Sequence, residues 1–139
     1  MFNNSRIGDC KILELPIVHR VSGNITSIEN LKEIPFEIKR VYYLYDIPGG
    51  VERGGHAHRE LFQLIVAASG AFDVEISDGN DKKIYRLDRP NYGLFIVPGI
   101  WRDLKNFSSG SICVVLASAI YNSADYIRNM NEFKELKWI

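Results

Sequence analysis

The feature that most limits what this chain can fold into is its punctuation. Turn-forming residues interrupt it at short intervals, and the stretches between them are rich in β-branched and aromatic side chains. The β-rich runs are Lys11–Val18, Asn24–Glu29, Ile38–Ile47, Leu61–Ser69, Ala71–Ser77, Lys82–Leu87, Leu94–Val97, Trp101–Phe107 and Ile112–Ile120. Between them stand Ser22-Gly23, Pro48-Gly49-Gly50, Gly70, Asp78-Gly79-Asn80, Pro90-Asn91, Pro98-Gly99 and Ser108-Ser109-Gly110. Glycine and proline are the strongest local breaks, and Asp-Gly between two such runs signals a hairpin. About ten short strands so spaced predict an all-β sandwich or barrel of the jelly-roll kind. Only the end of the chain differs. There Ser123 suits an N-cap, and Tyr126, Ile127, Met130, Phe133 and Leu136 form one apolar stripe, which predicts a short C-terminal helix.

The 139 residues fit one domain spanning 1–139, large enough to bury a core without disulfides or metal staples. Seventeen basic and seventeen acidic residues cancel, so no global field favours nucleic acid or an anionic membrane as partner. No apolar run approaches spanning length, and the N-terminus lacks the pattern of an export signal. Cys10 and Cys113 are isolated, without metal-type spacing, which suggests a reducing compartment. The expectation is a cytoplasmic protein whose anionic ligands, if any, are met by a few local cations.

Of the three histidines, His56 and His58 stand two apart, while His19 reads as structural. In an extended strand, residues i and i+2 share a face, so both imidazoles project into one space. Imidazole serves equally as proton carrier and as metal ligand. Gly50, His56, His58, Gln63 and Gly70 resemble the first motif of the cupin superfamily, with glutamine in place of its glutamate. The stretch from Gly93 through Pro98-Gly99 to Arg102 resembles the second motif, with arginine where a histidine is expected. The resemblance implies a cupin-type jelly-roll barrel, the double-stranded β-helix. A cupin metal site resembles two histidines, a carboxylate and one further histidine around the ion. Gln63 is neutral and Arg102 is a permanent cation, so no metal is expected and the imidazoles are left for proton chemistry.

A narrower resemblance covers nearly the whole chain. It rests on the runs Ile34–Tyr43, Arg53-Gly-Gly-His-Ala-His58, Gly93–Trp101, Phe107-Ser-Ser109, Val115-Leu-Ala-Ser118 and a terminal Asp125-Tyr-Ile-Arg128, taken as helix. These are similar to the dTDP-sugar 3,4-ketoisomerases, the WxcM-like group of cupins. The resemblance implies isomerisation of dTDP-4-keto-6-deoxyglucose to a dTDP-3-keto-6-deoxyhexose, without a cofactor. Such a product leads to a 3-amino-3,6-dideoxy sugar of a surface glycan, by way of a PLP-dependent 3-aminotransferase. It also implies a homodimer with exchanged N-terminal strands, which the apolar early strands support weakly.

Moving a ketone from C4 to C3 needs three proton events: loss of the C3 proton, transfer from the C3 hydroxyl to the C4 oxygen, and protonation of C4. One base beside the C3–C4 edge and one shuttle near both oxygens suffice. The resemblance assigns His56 as base and His58 as shuttle; two same-face imidazoles allow either order. Developing enediolate charge calls for a donor, met by Arg102 or Gln63. Arginine at position 102 leans towards the gluco product in the family's two branches. Arg40 and Tyr42 share a strand face with Leu44, and Arg53 lies in the glycine-flanked loop before His56. Arg40 and Arg53 are therefore candidates for the pyrophosphate, and Tyr42 and Trp101 for positioning sugar or base, though Trp101 suits core packing equally well. Competing functions are a nucleotide-sugar 3,5-epimerase, a metal-dependent cupin enzyme and a non-catalytic nucleotide-sugar sensor.

Overall fold

The structure, a computed structural model, describes residues 1–137. Its strands are β1 (Lys11–Glu14), β2 (Val18–Arg20), β3 (Gly23–Ile25), β4 (Arg40–Leu44), β5 (Arg53–His58), β6 (Gln63–Ser69), β7 (Phe72–Ser77), β8 (Lys82–Leu87), β9 (Tyr92–Ile96), β10 (Trp101–Lys105), β11 (Ile112–Ala117) and β12 (Tyr126–Ile127), followed by helix α1 (Met130–Lys137). Two five-stranded sheets run in the orders β1-β9-β6-β11-β4 and β12-β5-β10-β7-β8, and β2 and β3 form a hairpin of their own. All pairings are antiparallel. The fold is the cupin-type jelly roll expected.

Alternation builds the core. In β7, Phe72, Val74 and Ile76 are fully buried while Asp73 and Glu75 between them are not. They pack with Ile65, Leu94, Ile96, Cys113 and Val115 from the other sheet into one apolar cluster. Burial on this scale, at roughly 25 cal/mol per Å² of apolar surface, is what holds the two sheets together.

The early runs are shorter than expected. Pro16 cannot donate to a ladder, so β1 stops at Glu14 and the Leu15 amide turns to Asn91 O at 2.7 Å. The Asn24–Glu29 run keeps strand geometry only to Ile25. No residue of β2 or β3 is buried, and Val18, Val21 and Ile25 lie exposed.

The C-terminal segment corrects the expected helix. Asn122 caps a single 3-10 turn, Ser123–Asp125, and Tyr126-Ile127 then pairs with β5 as a strand. The α-helix begins only at Met130, where Asn129 Oδ1 accepts from the Glu132 amide at 3.0 Å. The physical reason lies in what the two neighbours contact. Tyr126 faces the histidine rings while Ile127 packs with Ala57, Trp101 and Phe133, and only a strand sends adjacent side chains to opposite faces.

Strand β5 carries the feature that shapes the site. Arg102 of β10 stands opposite His56, but Leu104 stands opposite Arg53, so β5 has one residue more than its partner over this stretch. Gly54, at φ +82°, absorbs the bulge in a conformation that favours glycine. The extra residue turns Arg53 to the same side as His56. Among the described residues no helix is long and apolar enough to cross a membrane.

Candidate active site

A cavity of about 370 Å³ opens at one end of the core, within the usual range for small-ligand sites. Its walls include Arg40, Tyr42 and Leu44 at alternate positions of β4, Gln63 of β6, Arg53 and His56 of β5, and Arg102 of β10. Tyr121, Tyr126 and Arg128 close it from the C-terminal side.

His56 reaches the cavity wall; His58 is fully buried behind it. Their Nε2 atoms are 3.1 Å apart and the rings nearly perpendicular, at 89°. His58 Nδ1 lies 2.8 Å from Asp125 Oδ2. Tyr126, paired with His58 across the β12–β5 ladder, packs its ring 4.4 Å from His58 and 4.9 Å from His56. Burial, followed by the charges of Arg102 and Arg128, pushes His56 from its ordinary value of 6.5 down to about 3. His58 is pushed in the same direction, by burial first and then by Arg102 and His56. Both rings are thus held as neutral imidazoles near pH 7, the form that accepts protons.

Arg102 is the largest fully buried side chain. One of its terminal nitrogens donates to Gln63 Oε1 and the other to Ile100 O at 3.1 Å, while Nε has no partner among the described residues. Gln63 Nε2 in turn donates to the Tyr42 hydroxyl at 3.2 Å. Tyr42 therefore receives a hydrogen bond from below and keeps its own O–H for the cavity. Burial raises the Tyr42 phenol above its ordinary value, so it stays protonated. Among the described residues no carboxylate forms an ion pair with Arg102.

These residues do not fit a cupin metal. The guanidinium and its bond to Gln63 occupy the place of two ligands, and among the described residues no three His, Cys, Asp or Glu side chains gather closely enough to hold an ion.

Of the residues singled out from sequence, Arg40, Tyr42, Arg53, His56, Gln63 and Arg102 share the cavity wall, with His58 directly behind. Arg40 stands over the rings of Tyr42 and Tyr121, at 5.2 and 5.5 Å, and its Nε is unpartnered. Trp101 is not on the wall. As the neighbour of Arg102 in β10 it faces the other way, packs 5.7 Å from Phe133 and donates to Asp103 Oδ2 at 3.1 Å. A place for it beside sugar or base is therefore withdrawn; it packs the second apolar cluster. His19 lies on the exposed hairpin against Asn24. Sequence reasoning missed Tyr121, Asp125, Tyr126 and Arg128 as site residues. Three of them sit in the Asp125–Arg128 run, whose alternation, read as strand rather than helix, places Tyr126 and Arg128 on one face.

The chain matches the model of the family described as "FdtA: WxcM-like, C-terminal" over residues 8–138. It is 40% identical over 125 residues to the TDP-4-oxo-6-deoxy-alpha-D-glucose-3,4-oxoisomerase of Aneurinibacillus thermoaerophilus, covering 90% of each chain. Among solved structures it resembles a 3,4-ketoisomerase from Helicobacter canadensis, with TM-score 0.91 and 45% identity, covering 93% of this chain and 97% of that one. The TDP-quinovose 3,4-ketoisomerase WlaRB from Campylobacter jejuni superposes with TM-score 0.88 at 45% identity, over 91% of this chain and 98% of its own. A barrel with a paired-histidine wall, a buried arginine in the second cupin motif and this degree of identity place the chain in the FdtA (WxcM-like, C-terminal) family.

Proposed function

We propose that the protein is a TDP-sugar 3,4-ketoisomerase acting on TDP-4-keto-6-deoxyglucose. The observation that carries the reading is a neutral, cavity-lining His56 backed at 3.1 Å by a second neutral imidazole, in a chain 40% identical to an enzyme named for this reaction. The substrate's C4 carbonyl acidifies the C3 proton, which His56 removes. The resulting enediolate carries its charge on the C4 oxygen near Arg102, whose Nε has no partner among the described residues. A proton then passes from the C3 oxygen to the C4 oxygen, and C4 is reprotonated. No electrons enter or leave, because the ketone at C3 is gained as that at C4 is lost. Each acid–base role is worth roughly 10²–10⁴ in rate.

Arg40, Arg53 and Arg128 supply the cations that a pyrophosphate needs, and Tyr42 directs its hydroxyl to the sugar. The product is read as the gluco isomer. Arginine at position 102 supports this, as does 45% identity to an enzyme named for TDP-quinovose, the 6-deoxyglucose sugar. A 3-keto product is a substrate for a PLP-dependent 3-aminotransferase. The protein is further read as a homodimer, because the β2–β3 hairpin and the outer face of edge strand β4 leave Val18, Ile25, Val41, Tyr43 and Tyr45 exposed.

The test is incubation with TDP-4-keto-6-deoxyglucose in D₂O, with the product trapped by a 3-aminotransferase and read by NMR. Deuterium at the C3/C4 edge is expected, and His56→Asn and His58→Asn should each abolish its uptake while folding normally. Intact binding of the sugar nucleotide without exchange would sink the reading.

A further inference from the structure

Asp125 stood in the sequence only as the first residue of the Asp125–Arg128 run, with no role of its own. It ends the 3-10 turn Ser123–Asp125, and both of its carboxylate oxygens are committed. Oδ1 accepts from the Glu60 amide at 2.8 Å, and Oδ2 meets His58 Nδ1 at 2.8 Å. Its backbone oxygen accepts from the Arg59 amide at 2.9 Å, so the residue is fastened on both sides of the histidine strand's end.

A carboxylate has only acceptors, so the proton in its contact with His58 belongs to Nδ1. A neutral imidazole carries a single N–H, which leaves His58 Nε2 with a lone pair. That lone pair faces His56 Nε2 at 3.1 Å. Resting on the functional reading above, we propose that Asp125 is a positioning residue of the isomerisation: it fixes the His58 tautomer so that His58 is the proton acceptor for His56.

The three side chains then form a file running from Asp125 through His58 to His56 and the cavity. When His56 takes a proton from the sugar on Nδ1, it hands its Nε2 proton to His58 Nε2. The imidazolium formed there lies against the Asp125 carboxylate, a counter-charge at 2.8 Å. The file holds the proton equivalent until C4 is reprotonated, and the open cavity lets it exchange with solvent in the meantime. In this role His58 relays through His56 without touching the substrate, in place of the shuttle between the two oxygens that the resemblance implies, in keeping with its burial behind His56.

Asp125→Asn separates this role from a structural one. The carboxamide keeps an oxygen for the Glu60 amide but presents N–H to His58 Nδ1, which forces the opposite tautomer and points a second donor at His56. In a serine-protease triad the same exchange costs about 10⁴ in kcat through the wrong tautomer. Here the expected outcome is a kcat lower by about 10² or more, with TDP affinity and KM changed by no more than about threefold, and partial rescue by Asp125→Glu. Nitrogen-15 NMR of the resting protein should show His58 protonated at Nδ1 in wild type and at Nε2 in Asp125→Asn. Wild-type His58 protonated at Nε2, or an Asp125→Asn kcat within about threefold of wild type, would overturn the proposal. The NMR readout does not depend on turnover. A tautomer switch between wild type and Asp125→Asn, with a wild type that leaves the sugar unchanged, would uphold the tautomer assignment and overturn the functional reading instead.

Discussion

Arg102 stands directly opposite His56 across the β10–β5 pair, so a fully buried cation, without a carboxylate ion-pair partner among the described residues, stands beside the imidazole that reaches the cavity. In the resting protein that charge is only partly compensated, by the dipoles of Gln63 and the Ile100 carbonyl. On the proposed reaction it would gain a full counter-charge when an enediolate forms beside it. The ground state is therefore left under-solvated in the way the transition state is not.

Removing this cation should move the acid limb of the pH–rate profile. His56 is held at about 3, by burial first and Arg102 second, so it is a free base throughout the neutral range. Arg102→Met leaves the burial and removes the cation, which raises the His56 value part of the way back towards 6.5. Activity of the variant should then fall off at a higher pH than that of wild type, on top of a lower kcat. Profiles of kcat/KM from about pH 4 to about pH 9 decide it, and coincident acid limbs would count against the electrostatic coupling.

Gln63 and Arg102 should also decide metal uptake between them. Gln63→Glu alone supplies a carboxylate, but Arg102 remains to pair with it and repel a cation. Gln63→Glu/Arg102→His supplies both ligand types and removes the repulsion. Elemental analysis after incubation with zinc or manganese should find about one ion per chain in the double variant and none in the single one. Stoichiometric metal in Gln63→Glu would show that Arg102 is not the barrier.

At Gly54 the strain of a substitution is in the backbone rather than in packing. An added Cβ would meet Leu104 Cγ at an ordinary 3.4 Å, but φ is +82°. Gly54→Ala should cost about 1–2 kcal/mol and displace Arg53, raising KM more than it lowers kcat. Gly8→Ala, where a Cβ meets nothing within 4 Å, is the control and should leave both unchanged. Chemical denaturation and steady-state kinetics on the two variants provide the comparison; equal stabilities would remove the bulge argument.

Light scattering should give a mass near twice the chain's 15.9 kDa. Ile25→Asp combined with Val18→Asp, on paired positions of the β2–β3 hairpin, should shift it towards the monomer. A monomeric wild type would end the dimer reading.

Much of the fold was legible because glycine and proline punctuate it so densely, and an all-β barrel needs little more than that. The C-terminal helix was placed too early because Tyr126, Ile127, Met130 and Phe133 satisfy a helical period on paper, while β5 offers Tyr126 and Ile127 a ladder. The histidine pair, Gln63 and Arg102 stood out through their spacing. Trp101 misled because adjacency to Arg102 in sequence means opposite faces in a strand. The Asp125–Arg128 run was visible but the role of Asp125 was not, since its partner His58 lies 67 positions away and only the closed barrel brings them together.

The extra residue in β5 also changes how distances along this chain are to be counted. Side chains that share a strand face ordinarily differ by an even number, yet Arg53 and His56 differ by three and both wall the cavity. A pattern search that insists on evenness sends Arg53 to solvent and discards a cation from the site. Counted with Gly54-Gly55 as a phase reset, the odd interval becomes a signature in its own right: an arginine, two glycines and a histidine pair mark a strand that rotates an outward position into the barrel.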